Sequence, residues 1–298
     1  MNTIASSAGT RAAVPRPRRR KSSEPVDRFT PSGEIPSLSA SERAQLGKPS
    51  HSRVRPTAGE WKNVRRFLVE KSQKRDPALS AEMTAYTPGE TLQLMRKWPI
   101  RRWQTRMKTF EIPRDADLVV LVPCAATKPW DTASRGIYKS YNDLRQEMAR
   151  GKLPRAYFVT VSEPLGIVPE AHWGDFPTYD DPGLFRNDSA RAGRTTTREW
   201  LDRFGQNYVL PFDEKAYRQS IDRLSDVIAD FARHNARPGR TFLSFVDDAN
   251  GTSTHTDMLT RANEKFHFLP RENMYPKRTR PREAPYSLLK EKIREHAT

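Results

Sequence analysis

Cys124 is the one thiol in the chain, in the segment Leu121-Val-Pro-Cys-Ala-Ala-Thr-Lys-Pro-Trp130, with Lys128 four residues after it. A thiolate attacks electrophiles, and an ammonium with backbone N–H groups in a short loop holds an anion or a base carbonyl. A cysteine behind an apolar run is also a common inert packing residue. A second constellation is Ser162-Glu163-Pro164-Leu165-Gly166. There a glycine lets backbone approach a flat ligand, and Glu163 offers a carboxylate to the N1–H and 2-amino group of a guanine-like base. A solvated turn acid is the plain alternative. In Tyr179-Asp180-Asp181 a carboxylate can attack the C1′ of a sugar and leave again, as in retaining glycoside chemistry, although an Asp shortly before Pro182 also suits a simple turn. The fourth group is Asp247-Asp248-Ala-Asn250-Gly251, with His255 and Asp257 close behind. Paired acids serve as acid and base, bind metal or cap the next element. Capping is the simplest account, and neither a metal nor a cofactor is expected.

The elements that must position these groups alternate. Strand-like runs dense in β-branched and aromatic residues are Leu118–Val122, Ala156–Val161, Tyr208–Leu210 and Phe242–Val246. Helical patterns cover Tyr138–Arg150, Thr197–Phe204, Tyr217–His234 and Thr256–Phe266, the third with apolar residues at 217, 221, 224, 227, 228 and 231. This order predicts an α/β fold, a mostly parallel sheet flanked by helices, over residues 116–275, with a ligand site beyond the carboxyl ends of the strands. Residues 58–115 read as a helical extension. Trp61, Val64, Phe67 and Leu68 share one face, Leu92, Met95 and Trp98 another, and Pro88 after Thr87 marks a helix start. Trp61, Trp98 and Trp103 stand among Lys62, Arg65, Arg66, Arg96, Lys97, Arg101, Arg102 and Arg106, a mixture that suits base stacking and phosphate contact. The same pattern arises when aromatic residues fill a core and charged ones face water. Residues 1–57, rich in Ser, Pro, Gly and Arg without apolar periodicity, read as a disordered basic arm. Residues 276–298 form a basic, proline-containing tail that closes on a short helix over Leu288–Arg294.

Charge narrows the partners. The 298 residues carry 52 Lys+Arg against 36 Asp+Glu, a net +16. The excess is spread along the chain: 11 basic against 5 acidic residues in the first 60, and 41 against 31 in the rest. Such a field favours a polyanion and gives salt-dependent affinity. No apolar run approaches the roughly 20 residues of a membrane span, and no signal-peptide core is present, so no membrane partner and a cytoplasmic location are expected. One cysteine permits neither an internal disulfide nor a cysteine-rich zinc site.

Pro123-Cys124, three residues, Lys128-Pro129-Trp130 and a nearby Ser134 resemble the Pro-Cys-x3-Lys-Pro-Tyr-x2-Ser-x2-His signature of archaeosine synthase, which amidates 7-cyano-7-deazaguanine in archaeal tRNA. Trp130 replaces the Tyr, one extra residue precedes Ser134, and Tyr138 stands where the His is expected. Val161-Ser-Glu-Pro-Leu-Gly-Ile-Val-Pro-Glu170 and the later Pro177-Thr-Tyr-Asp-Asp-Pro182 are similar to further segments of that family, and the likeness spans about Leu118 to Leu269. The same layout resembles phage proteins related to DNA guanine transglycosylases.

The resemblance implies a pentosyl-transferring enzyme of phage DNA that exchanges guanine for a free 7-deazaguanine base, which would shield the DNA from restriction in the host cytoplasm. Asp180, at the family-like Tyr-Asp position, is then the nucleophile, with Asp247 as acid/base partner and Cys124 as a third catalytic candidate. Lys128, Trp130, Ser162, Glu163, Gly166 and Tyr179 would bind the base, Trp130 and Tyr179 holding a flipped nucleotide. Amidation of an inserted 7-cyano-7-deazaguanine in tRNA or DNA, with Cys124 adding to the nitrile, is the alternative. A non-catalytic DNA-binding protein is the third.

Overall fold

The computed structural model describes residues 55–126, 128–184, 211–246, 254–274 and 284–296. The arm, the runs Tyr208–Leu210 and Thr197–Phe204, and Asp247 lie outside the described residues, the arm except for its last three.

Helix α1, Ala58–Arg75, opens on a capping box. The Thr57 hydroxyl accepts from Glu60 N at 3.3 Å, and Glu60 Oε2 accepts from Thr57 N at 2.7 Å. Helix α2, Pro88–Leu94, has Thr87 as N-cap and Pro88 in its first turn, where proline's missing N–H is no loss. Helix α3 is Trp98–Lys108. The expected common face of Leu92, Met95 and Trp98 is therefore divided between two helices. α2 stops before Met95, and Pro99, which lacks a donor, sits where a new helix needs none. Met95 is buried while Trp98 is exposed.

Four described strands form one sheet in the order β3-β2-β1-β4. They are β1 Leu118–Pro123, β2 Ala156–Ser162, β3 Gly166–Pro169 and β4 Thr241–Ser244. β1 pairs in parallel with β2, Leu118 opposite Ala156, and with β4, Leu118 opposite Thr241. β3 returns antiparallel on β2. The sheet is thus mostly parallel in an α/β fold, as expected from the alternation. Its strands are buried almost throughout, as strands covered on both faces must be. β3 is an addition to the expected set, since four residues ending in proline give too short a pattern to read.

Four further α-helices of the described residues are α4 Gly136–Ala149, α5 Glu214–Asn235, α6 Thr254–Lys265 and α7 Ala284–Glu295, and three single-turn 3-10 helices lie at Ala81–Met83, Glu170–His172 and Arg271–Asn273. α5 runs against α2, α3, α6 and β3. It packs tightly on Gly166, at φ +84°, where a Cβ would meet Val227 Cβ and Cγ1 at 3.0 Å. α2, α3 and the junction between them share the sheet's core through Leu94, Met95, Ile100, Trp103 and Met107. Trp103 Nε1 donates to Ile167 O at 2.9 Å, and Gln104 Nε2 donates to Pro164 O at 2.7 Å. α1 stands apart: Trp61, Phe67 and Leu68 gather around Val64 in a small separate cluster. Polar contacts anchor it to its neighbours, among them Arg65 to Glu90 at 2.8 Å. No helix of the described residues is long and apolar enough to cross a membrane.

Candidate functional site

Cys124 follows β1 directly. Its N–H continues the β1–β2 ladder to Val161 O at 3.1 Å, and that register sets the thiol beside the Ser162–Glu163 turn at the end of β2. Glu163 is only 5% exposed. The Cys124 S–H donates to its Oε2 at 3.8 Å. His255 enters from the first turn of α6, beyond the carboxyl end of β4, with Nε2 3.2 Å from the same Oε2. That contact is a buried ion pair, with the imidazole facing the carboxylate beside the thiol. The three atoms lie within 4.8 Å of one another. The ends of β1 and β2 and the first turn of α6 thus bring a thiol, a carboxylate and an imidazole to one point, in the place this topology reserves for ligands.

The electrostatics are those of a buried ion pair. Burial pushes the Glu163 carboxyl up, but the His255 charge outweighs it and holds the pKa below the ordinary value. Burial likewise pushes the His255 imidazolium down, and the Glu163 carboxylate reverses this, holding the pKa well above the ordinary value. Both groups therefore stay charged through neutral pH. One sulfur, one nitrogen and one oxygen donor in this cluster would also suit a borderline cation such as Zn²⁺ with a fourth position open.

Lys128 and Tyr179 adjoin this group. Lys128 Nζ lies 4.0 Å from the Tyr179 ring centroid and donates to the Tyr179 carbonyl at 3.1 Å, and burial pushes its pKa down. The Tyr179 hydroxyl shares a short hydrogen bond with Ser162 Oγ. Asp181 Oδ1 accepts from Thr91 Oγ1 at 2.6 Å and from Gly183 N at 3.0 Å, while Oδ2 is buried without a partner among the described residues. Burial drives the Asp181 carboxyl well above the ordinary value.

The remaining sequence-derived candidates are placed otherwise. Asp180 Oδ2 accepts from the Ser72 hydroxyl and from Arg75 Nη2 at 2.9 Å, both on α1. Its backbone bridges to Met83 and Ala85. Trp130 has 0% exposure. One ring neighbour is Tyr138 at 4.9 Å between centroids, another Phe176 at 4.6 Å, and Nε1 donates to Ala125 O. The missing side chain of Gly166 faces Val227. Asp257 accepts from the Tyr217 hydroxyl, and Asp247 is outside the described residues. The structure therefore brings together Cys124, Glu163, Lys128, Ser162 and Tyr179, and sets Trp130 in the aromatic core. Sequence reasoning missed His255 as the partner of Cys124 and Glu163. Its only signal was position, just past the loop after the last strand.

Residues 100–239 match a family model described as a domain of unknown function, DUF5591. That span includes Cys124, Glu163 and Asp180; His255 lies beyond it. The archaeosine synthase subunit alpha of Thermococcus kodakarensis is 20% identical over 178 residues, 58% of this chain and 29% of that protein. The subunit of the same name from Methanosarcina acetivorans is 25% identical over 143 residues, 46% of this chain and 22% of that protein. The chain thus spans less than a third of the length of these relatives. No solved structure matches it.

Proposed function

We propose that this chain is an enzyme of 7-deazaguanine modification in nucleic acid, and that Cys124 adds to the nitrile of 7-cyano-7-deazaguanine. The observation that carries the reading is the meeting of Cys124 Sγ, Glu163 Oε2 and His255 Nε2 within 4.8 Å at the ends of parallel strands. The two archaeosine synthase relatives support it. So does the net charge of +16.

In the first step Glu163 takes the thiol proton and the sulfur forms a bond to the nitrile carbon, while the His255 imidazolium delivers a proton to the nitrile nitrogen. The product is a neutral thioimidate on Cys124. In the second step an amine adds to that carbon and gives up a proton to His255, the C–S bond breaks, and the thiolate takes back the proton held by Glu163, leaving an amidine. Pairing a nucleophile with an adjacent acid–base pair is the usual way to activate it.

The test is intact-protein mass spectrometry after incubation with 7-cyano-7-deazaguanine alone, followed by nucleoside analysis of DNA and tRNA from cells supplied with that base. The wild-type chain should gain the full mass of the base, and Cys124→Ala should not. If Cys124→Ala still produces modified nucleosides at the wild-type rate and Asp180→Asn abolishes them, base exchange through attack of Asp180 on the sugar C1′ replaces the nitrile reading.

A further inference from the structure

The one large hydrophobic side chain of α3 that faces water is Trp98, 67% exposed. It begins the helix stripe Trp98, Arg101, Arg102, Thr105, all exposed, while Ile100, Trp103, Gln104 and Met107 face inward. The Arg102 guanidinium lies 5.1 Å from the Trp98 ring centroid, and Arg96 is exposed two residues before it. Among the described residues none of Arg96, Arg101 and Arg102 has an acidic side chain within 4.0 Å, whereas neighbouring Lys97 is paired with Glu82 at 3.1 Å. Their positive charge is felt nearby. Arg223, anchored to Met95 O at 2.8 Å, has its pKa lowered by burial first and then by Arg101 and Arg96.

We infer that this face of α3 is a docking surface for an unpaired stretch of nucleic acid, with Trp98 stacking a splayed base and Arg96 and Arg101 contacting phosphates. An exposed indole gains little in water, and three unneutralised guanidiniums repel one another; a polyanion that carries flat rings relieves both. Base–aromatic stacking tolerates any sequence because every base has a π face, and arginine tracks the backbone alongside. The inference rests on the reading that the chain acts on nucleic acid, and adds where the strand lies outside the cluster at Cys124. A base that has left its stack suits an enzyme whose reacting atoms would otherwise be hidden in a helix.

The experiment is fluorescence anisotropy with an unmodified single-stranded oligonucleotide, its duplex and heparin, at several salt concentrations, on the full chain carrying Cys124→Ala. Binding then needs no turnover, and failure of the nitrile chemistry leaves the measurement unaffected. Trp98→Ala should weaken single-strand binding about tenfold with little change of salt slope, while Trp98→Phe keeps most of the affinity. Arg96→Gln with Arg101→Gln should lower the slope by about 1.4, roughly 0.7 for each phosphate that is no longer neutralised. Duplex and heparin binding should be nearly indifferent to Trp98→Ala. Wild-type single-strand affinity and slope in all variants would overturn the proposal. So would an equal loss on heparin, which has no bases.

Discussion

Glu163 and His255 are both charged only between the depressed pKa of the first and the raised pKa of the second, and on the proposed mechanism that window sets where the chemistry runs. As pH falls through the Glu163 value, the ion pair loses its carboxylate and the stability it contributed. As pH rises through the His255 value, it loses the imidazolium and the proton destined for the nitrile nitrogen. The rate of adduct formation should therefore be bell-shaped, with its acid limb below and its alkaline limb above the ordinary ranges of the two groups. Glu163→Gln removes both the base and the counter-charge, so the rate should fall, the acid limb should vanish and the alkaline limb should move to lower pH. His255→Gln should lower the rate on the order of a hundredfold or more and abolish that limb. Rates measured from pH 4 to 10 check both. Asp181 behaves in the opposite sense to Glu163. Its raised folded-state pKa means that the fold prefers the neutral acid, so its burial opposes stability increasingly as pH rises through the ordinary carboxylate range. Asp181→Asn keeps an acceptor for Thr91 and Gly183, and its Tm relative to wild type should rise from pH 4 to pH 8. A difference that does not vary with pH would show that Asp181 does not titrate there. The carboxylates illustrate what single residues conceal. Asp180 and Asp181 are adjacent in sequence, yet one is salt-bridged to Arg75 and the other is buried against Thr91.

At the scale of elements, apolar periodicity made β1, β2 and α5 legible, because their long β-branched or heptad-like runs admit one solution. β3 and the break between α2 and α3 were not, because a four-residue strand and a two-helix junction depend on what packs against them. Gly166 shows how such packing fixes a residue. Gly166→Ala must hold a side chain at positive φ and press a methyl group on Val227, and is expected to destabilise by about 1–3 kcal/mol in chemical denaturation. Val227→Ala in the same chain should relieve the contact but not the backbone strain, restoring part of the loss. Trp130 makes the complementary case. Stacked between Tyr138 and Phe176 and fully buried, it should cost about 3–5 kcal/mol on replacement by alanine, the scale for removing a core aromatic. Unchanged stability together with lost base binding would instead return Trp130 to the ligand-holding role expected from its position in the motif.

For the whole molecule, charge is the dominant property and the one most readily tested. Residues 1–57 hold 11 basic and 4 acidic side chains, so their deletion should weaken non-specific DNA binding at low salt and make its salt dependence shallower. Unchanged affinity at low salt would show that this segment does not touch nucleic acid. The sequence by itself determined the α/β alternation, the basic excess and the placing of Cys124 and Glu163 at two strand ends, because these follow from local pattern and composition. Tertiary structure alone decided that His255, 131 residues after Cys124, completes their cluster. It also decided that Trp98 rather than Trp103 faces water and that Trp130 is core. Those outcomes turn on strand order and on which helix face meets the sheet, and long-range packing sets both where no local spacing can encode them.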